Sequence, residues 1–187
     1  MVLGYVKFAA ANGNVAEAVS LYSHLVVRLP QPELVPALGD FYTLAGNNTA
    51  AQQQYETVSF IAELETTRGM MYGRPLALFY ANHEINLEAA LAAAEAELAI
   101  RPDVYGYDLL AWALYKNGRF AEAAAASEQA LRLGTPEASF YYHAGMIAAA
   151  QGNPAQARAY LSLALQLNPH FDFIQAQIAQ EALENLP

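Results

Sequence analysis

Histidines, paired carboxylates and hydroxyls are the side chains through which this chain could do acid–base or metal chemistry, and their spacing speaks against both. His83-Glu84 opens like a zinc-protease helix, in which two histidines four residues apart hold the metal beside a general base, but Leu87 stands where the second histidine is needed. The four histidines, His24, His83, His143 and His170, fall in different parts of the chain with no pair at helical spacing, so no metal cluster is expected. His143 follows Tyr141 and Tyr142 and reads as a partly buried histidine bonded to a neighbour. Glu63 with Glu65 and Glu95 with Glu97 read as a solvated helix face and not as a general acid and base. No phosphate-binding glycine loop and no nucleophile elbow is present. The absence of cysteine removes disulfides, thiol catalysis and thiolate-bound metal together. A non-catalytic chain without cofactor or metal is the expectation.

Composition points the same way. Apolar residues make up 55% of the 187, enough to bury a continuous core and to exclude disorder. Eighteen acidic against nine basic side chains leave a formal charge of −9, which repels phosphate backbones and anionic lipid. Nucleic acid and membrane surfaces are therefore not expected partners. No uninterrupted apolar run reaches the roughly 18 residues of a bilayer span. The opening MVLGYVKFAAANGNVAEA makes a poor signal peptide, because Lys7 sits inside the apolar stretch instead of before it.

The elements that position these side chains emerge from self-comparison. Gly118 and Gly152 are 34 residues apart, as are Tyr107 and Tyr141, Leu114 and Ala148, and Ala123 and Ala157. Each block holds an apolar-periodic helix, a break at Lys-Asn-Gly or Ala-Gln-Gly, and a second alanine-rich helix. The glycine supplies the positive φ with which helices commonly end. Upstream, Gly13 and Gly46 are 33 apart, as are Ala18 and Ala51, whereas Ala51 and Ala90 are 39 apart. That excess predicts about one extra helical turn near residues 59–74, with the second helix running on toward Gly69. The segment NHEINLE has no turn glycine and is one residue longer than its counterparts.

These positions resemble the tetratricopeptide repeat, whose first helix carries an aromatic, a large–small pair and a second aromatic, and whose second helix carries a small residue followed four later by a bulky one before a closing proline. Tyr141, Ala144, Gly145, Ala148, Ala157, Leu161 and Pro169 fit it, as do Tyr107, Leu110, Ala111, Leu114, Ala123 and Ala130. Leu76, Ala77, Tyr80, Ala90, Ala94 and Pro102 follow, then Val35, Leu38, Gly39, Tyr42, Ala51 and Tyr55, then Tyr5, Val6, Ala9, Ala18, Tyr22 and Pro30. The resemblance implies an all-α fold, a right-handed α–α superhelix. Five helix pairs are expected in one domain, at about residues 1–31, 32–69, 70–103, 104–137 and 138–170, with a cap helix over 171–187. On the cap, Ile174, Ile178 and Ala182 are expected to face inward, and Gln175, Gln177, Glu181 and Glu184 outward.

The first helix begins inside a repeat, without a cap. The chain thus resembles the C-terminal part of a longer bacterial tetratricopeptide protein. Self-association as a homodimer is expected through the face bearing Leu3, Val6 and Ala10.

The resemblance also implies recognition of a protein or peptide in a concave groove lined by first helices. On the fourth repeat Asp108, Trp112 and Tyr115 form a stripe displaced about 100° from the intra-repeat face. Steps of 34 give rows of Arg74, Asp108 and Tyr142, of Leu78, Trp112 and Met146, and of Asn82 and Lys116, with Tyr105 beside them and Lys7 and Asp40 upstream. Aromatic residues of this kind dominate binding hot spots. Trp112 has two readings: a part-exposed anchor ringed by Leu78, Tyr142 and Met146, or filling between adjacent first helices. Some grooves of this family clamp a terminal carboxylate with Lys and Asn. With only Arg74 and Lys7 basic in the equivalent rows, such a clamp is not expected here. Alternatives to a binding scaffold are a self-associating structural module and an accessory domain of a larger enzyme.

Overall fold

The computed structural model describes residues 14–28, 34–67 and 73–187. Ten helices and no strand are present among the described residues. The chain divides into two compact units, one up to Pro75 and one from Leu76 onward.

In the N-terminal unit, α1 (Val15–Arg28), α2 (Leu34–Leu44) and α3 (Asn48–Thr67) follow one another. Ala18 and Tyr22, one turn apart, are the buried positions of α1, and the Tyr22 ring lies 5.0 Å from that of Phe41 on α2. Gly39 lets α2 press against α3, because a Cβ there would collide with the Tyr55 ring. Helix α3 has 20 residues against 14 in α1, so the extra turn expected from the 39-residue interval is present. The helix expected before Gly13, with Lys7 and the face bearing Leu3, Val6 and Ala10, lies outside the described residues, as does Gly69.

From Leu76 the second unit comprises the rest of α4 (Arg74–Asn82), then α5 (Leu87–Ile100), α6 (Val104–Lys116), α7 (Phe120–Leu131), α8 (Ala138–Ala150), α9 (Pro154–Leu167) and α10 (Gln175–Asn185). First helices α6 and α8 end at Gly118 and Gly152, with φ of +75° and +74°. In each turn the residue after the glycine bonds back, Arg119 N to Leu114 O and Asn153 N to Ala148 O, both at 2.9 Å, satisfying a carbonyl the helix end leaves open. Asp103 caps α6 by accepting from Gly106 N, and Asn153 caps α9, which starts on Pro154. Alanines at 0% exposure, among them Ala77, Ala94, Ala111, Ala113 and Ala123, mark where neighbouring helices approach most closely. Gly145 belongs to the same set, since a Cβ there would sit 2.7 Å from Leu161 Cγ on α9.

Two expectations about polar faces are corrected. Glu97 is buried, paired at 2.6 Å with Arg101 four residues on, whereas Glu95 is exposed as expected. The arginine, emerging to solvent, neutralises a carboxylate that would otherwise not tolerate burial. On the cap helix the buried residues are Gln175, Ala176 and Ala179. Gln175 turns inward because its side-chain oxygen accepts from the buried Tyr142 hydroxyl. No helix among the described residues is long and apolar enough to cross a membrane.

Candidate functional site

Three first helices of the second unit, α4, α6 and α8, meet along one face through side chains that are polar and aromatic together. Helix α6 lies between the other two, so both of its stripes are covered. Ala111 and Leu114 pack with Ala123 and Ala126 of α7, while Leu109 and Ala113 pack with Ala77 and Ala94. Asp108 and Trp112 are then left to join α6 to its neighbouring first helices.

Trp112 is 0% exposed. Its ring stacks on His143 of α8 at 4.2 Å between centroids and 18° between planes, and on Tyr115 at 4.9 Å and 9°. The Tyr142 ring approaches at 5.4 Å, and the indole Nε1–H donates to Asn82 Oδ1 of α4 at 2.7 Å. The part-exposed anchor is therefore corrected: Trp112 is filling between first helices, satisfied at its one polar atom. Leu78, expected to ring it, packs instead with Ala77, Ala94, Leu109 and Ala113.

Asp108 and Tyr142 are also buried, which removes them as surface contacts. The Asp108 carboxylate lies 2.9 and 3.0 Å from Nδ1 of His143, itself 4% exposed. A carboxylate only accepts, so Nδ1 carries the proton and donates. An aspartate orienting an imidazole is a catalytic arrangement only where the far ring nitrogen reaches substrate. Here the ring is stacked on Trp112 and sealed in the interior, so the pair joins α6 to α8. Burial pushes the Tyr142 phenol far above its ordinary range, and Tyr115, Asp172 and Glu84 act in the same direction. Phe171, ahead of the cap helix, covers it at 5.3 Å.

Above this layer stands an accessible rim. Lys116 lies at the end of α6, its ammonium 4.9 Å from the Trp112 ring centroid and 5.9 Å from that of Tyr115. It pairs at 2.8 Å with Glu84 Oε1, the lysine side chain 14% exposed and the glutamate 67%. Burial raises the Tyr115 phenol, and Glu84 adds to the rise. Tyr105 is 44% exposed, edge-on to Phe140 at 5.1 Å, and Met146 is half-buried. Asp40 and Arg74, both half-buried, belong to the N-terminal unit, where Asp40 accepts from the Tyr55 hydroxyl at 2.8 Å.

Glu84 was not among the expected site residues. It stands 34 before Gly118, at the place of the turn glycine, and takes a left-handed φ of +55°. Ile85 N bonds to Tyr80 O at 3.0 Å, the bond Arg119 makes to Leu114, and Asn86, at φ +46°, is the extra residue of the turn. A left-handed conformation costs a residue with a side chain about 1–2 kcal/mol relative to its usual basins. An exposed ion pair returns roughly 0–1 kcal/mol. The signal that could have found Glu84 was the missing glycine of NHEINLE, since the 34-residue step from Gly118 falls on Glu84.

No group of three or more histidine or acidic side chains placed to hold a metal ion occurs among the described residues. Residues 109–170 match the family model of the tetratricopeptide repeat. No curated protein matches the sequence. Among solved structures the chain is similar to a tetratricopeptide repeat protein from Parabacteroides merdae, with 19% identity and a TM-score of 0.64 over 98% of this chain and 68% of that one. It is also similar to a thermophilic protein of the same repeat class from Thermus thermophilus, with 18% identity and a TM-score of 0.59 over 98% and 97% of the two chains. A chain in the hetero-tetramer Cut9–Hcn1 of the APC/C is similar at 18% identity and a TM-score of 0.52, covering 97% of this chain and 35% of that one. The helix pairs, their 34-residue register and these likenesses agree: the chain has an all-α helical-repeat fold like that of these proteins, and residues 109–170 carry the tetratricopeptide repeat.

Proposed function

We propose that this chain is a non-catalytic scaffold that binds a protein or peptide segment on the first-helix face of its C-terminal unit. The carrying observation is the contrast within that face: a buried layer of Trp112, Tyr142, Asp108 and His143 beneath an accessible rim of Tyr105, Tyr115, Glu84 and Met146, with Lys116 largely covered behind Glu84. A rigid layer below spares the rim much of the ordering entropy that binding would otherwise exact. Tetratricopeptide folds are generally protein- or peptide-binding scaffolds, and the similar chain in Cut9–Hcn1 is part of a hetero-tetramer.

Selection of peptides from a random display library against the full chain tests this. Selected peptides should lose about tenfold in affinity or more on Tyr115→Ala or Met146→Ala, about 1.4 kcal/mol for each factor of ten. Peptides indifferent to both substitutions would sink the assignment.

A further inference from the structure

Resting on the reading that the first-helix face binds a partner segment, we infer that Glu84, held against Lys116, sets the charge preference of that face. It closes the lysine to anionic segments and directs the face toward a segment bearing Lys or Arg.

The placement of Glu84 argues for a role beyond the turn. Gly46, Gly118 and Gly152 occupy left-handed turn positions without strain, at φ of 74–75°. The same place in the α4–α5 turn carries a side chain that glycine would spare, and that side chain reaches across to the next first helix at 2.8 Å. The ion pair alone does not offset the backbone cost, so the turn would be better served by glycine. What the glutamate adds is a carboxylate fixed at the rim.

The charges around it give that carboxylate its direction. All five basic side chains of the C-terminal unit are engaged within the chain. Arg101 pairs with Glu97, and Arg119 with Glu122 and Glu95. Arg132 lies over the Tyr107 ring, and Arg158 donates to the Leu186 carbonyl. Lys116, the one on the first-helix face, is held by Glu84 and largely covered. An incoming carboxylate would have to displace Glu84, against a chain of net charge −9. An incoming ammonium or guanidinium meets the outer, solvent-facing side of a carboxylate whose position Lys116 already fixes. It gains a charge-assisted hydrogen bond there without reorganising the rim. Glu84 is thus the contact residue, and Lys116 the positioning residue behind it.

Two blocked peptides, acetyl-Gly-Arg-Leu-Lys-Gly-Arg-amide and its counterpart with Glu at each basic place, would be titrated into the full chain, with amide chemical shifts followed by NMR. The basic peptide should bind the wild type and shift amides of α4, α6 and α8. Glu84→Gln and Glu84→Gly should each weaken it about tenfold or more, more at low salt than at high. The glycine variant should melt no lower than the wild type, so that a lost affinity cannot be lost folding. It should also gain binding to the acidic peptide through the released Lys116, and lose that gain again in the Glu84→Gly, Lys116→Ala double variant. Failure of the basic peptide to bind, equal binding by the Glu84 variants, or tighter binding of the acidic peptide to the wild type would each overturn the charge assignment. Shifts lying off the first-helix face would overturn the binding-face reading itself, whatever the charge preference.

Discussion

Trp112 and Tyr142 illustrate how a groove stripe becomes interior once a neighbouring helix lies on each side. Indole area, a stacked imidazole and the bond to Asn82 are lost together in Trp112→Ala, which should lower unfolding free energy by about 3–5 kcal/mol in urea titration. Trp112→Phe should be milder in packing yet leave the Asn82 amide oxygen without its donor. Tyr142 makes a second, pH-dependent prediction. Its phenol is raised by burial, so in the folded chain it stays protonated where an unfolded tyrosine, near 10, ionises. The unfolded state then holds fewer protons, and stability falls as pH rises past about 10. Tyr142→Phe should lose roughly 1 kcal/mol at neutral pH through the bond to Gln175, and should show a shallower alkaline decline than the wild type.

At the scale of elements, close helix approach and turn conformation separate cleanly. Gly145→Ala introduces a Cβ 2.7 Å from Leu161 Cγ and should lower stability by about 1–3 kcal/mol through overpacking between α8 and α9. Gly152→Ala meets no neighbouring atom, and its cost, about 1–2 kcal/mol, comes from φ alone. Thermal melts of the two variants test this. A second substitution, Leu161→Ala, should relieve the first and leave the second unchanged, apart from its own cavity.

These glycines also show what was legible. Gly118 and Gly152 announce their turns through the 34-residue step, and the small residues at Gly39, Ala77, Ala111 and Gly145 mark the paired faces, since no larger side chain would fit. The extra turn of α3 was readable as an interval. The fate of Trp112 was not, because a stripe covered by the next repeat and one facing a groove have the same periodicity along α6. Nor was the inward turn of Gln175, which follows from a phenol 33 positions away needing an acceptor.

Across the molecule, stability in a stacked repeat array is a sum of local terms between neighbours, so the last repeat depends on what closes it. Helix α10 contacts α9 and α8, and Gln175, Ala176 and Ala179 are covered there. Truncation after Pro169 would strip Phe171 and Gln175 from Tyr142 and uncover the outer face of the last pair. The truncated chain should unfold at lower denaturant concentration and show a rising apparent mass with concentration in light scattering. A truncated chain as stable and as monodisperse as the full one would show that α10 is an appendage. Acidity is the other property of the whole: with a formal charge of −9, partner association should slow with added salt if the partner is basic, chiefly through the on-rate.

The chain holds one tryptophan, and that residue sits between an imidazole and a phenol with the Lys116 ammonium 4.9 Å above its ring and the Glu84 carboxylate on that ammonium. An indole in such a place acts as a gauge of local electric field. Charge moved toward or away from one edge of the ring displaces its emission in wavelength, even when the ring itself does not move. Occupancy at the rim can therefore be followed as a change of colour in the native chain, without a dye, a tag or a second reporter to disentangle.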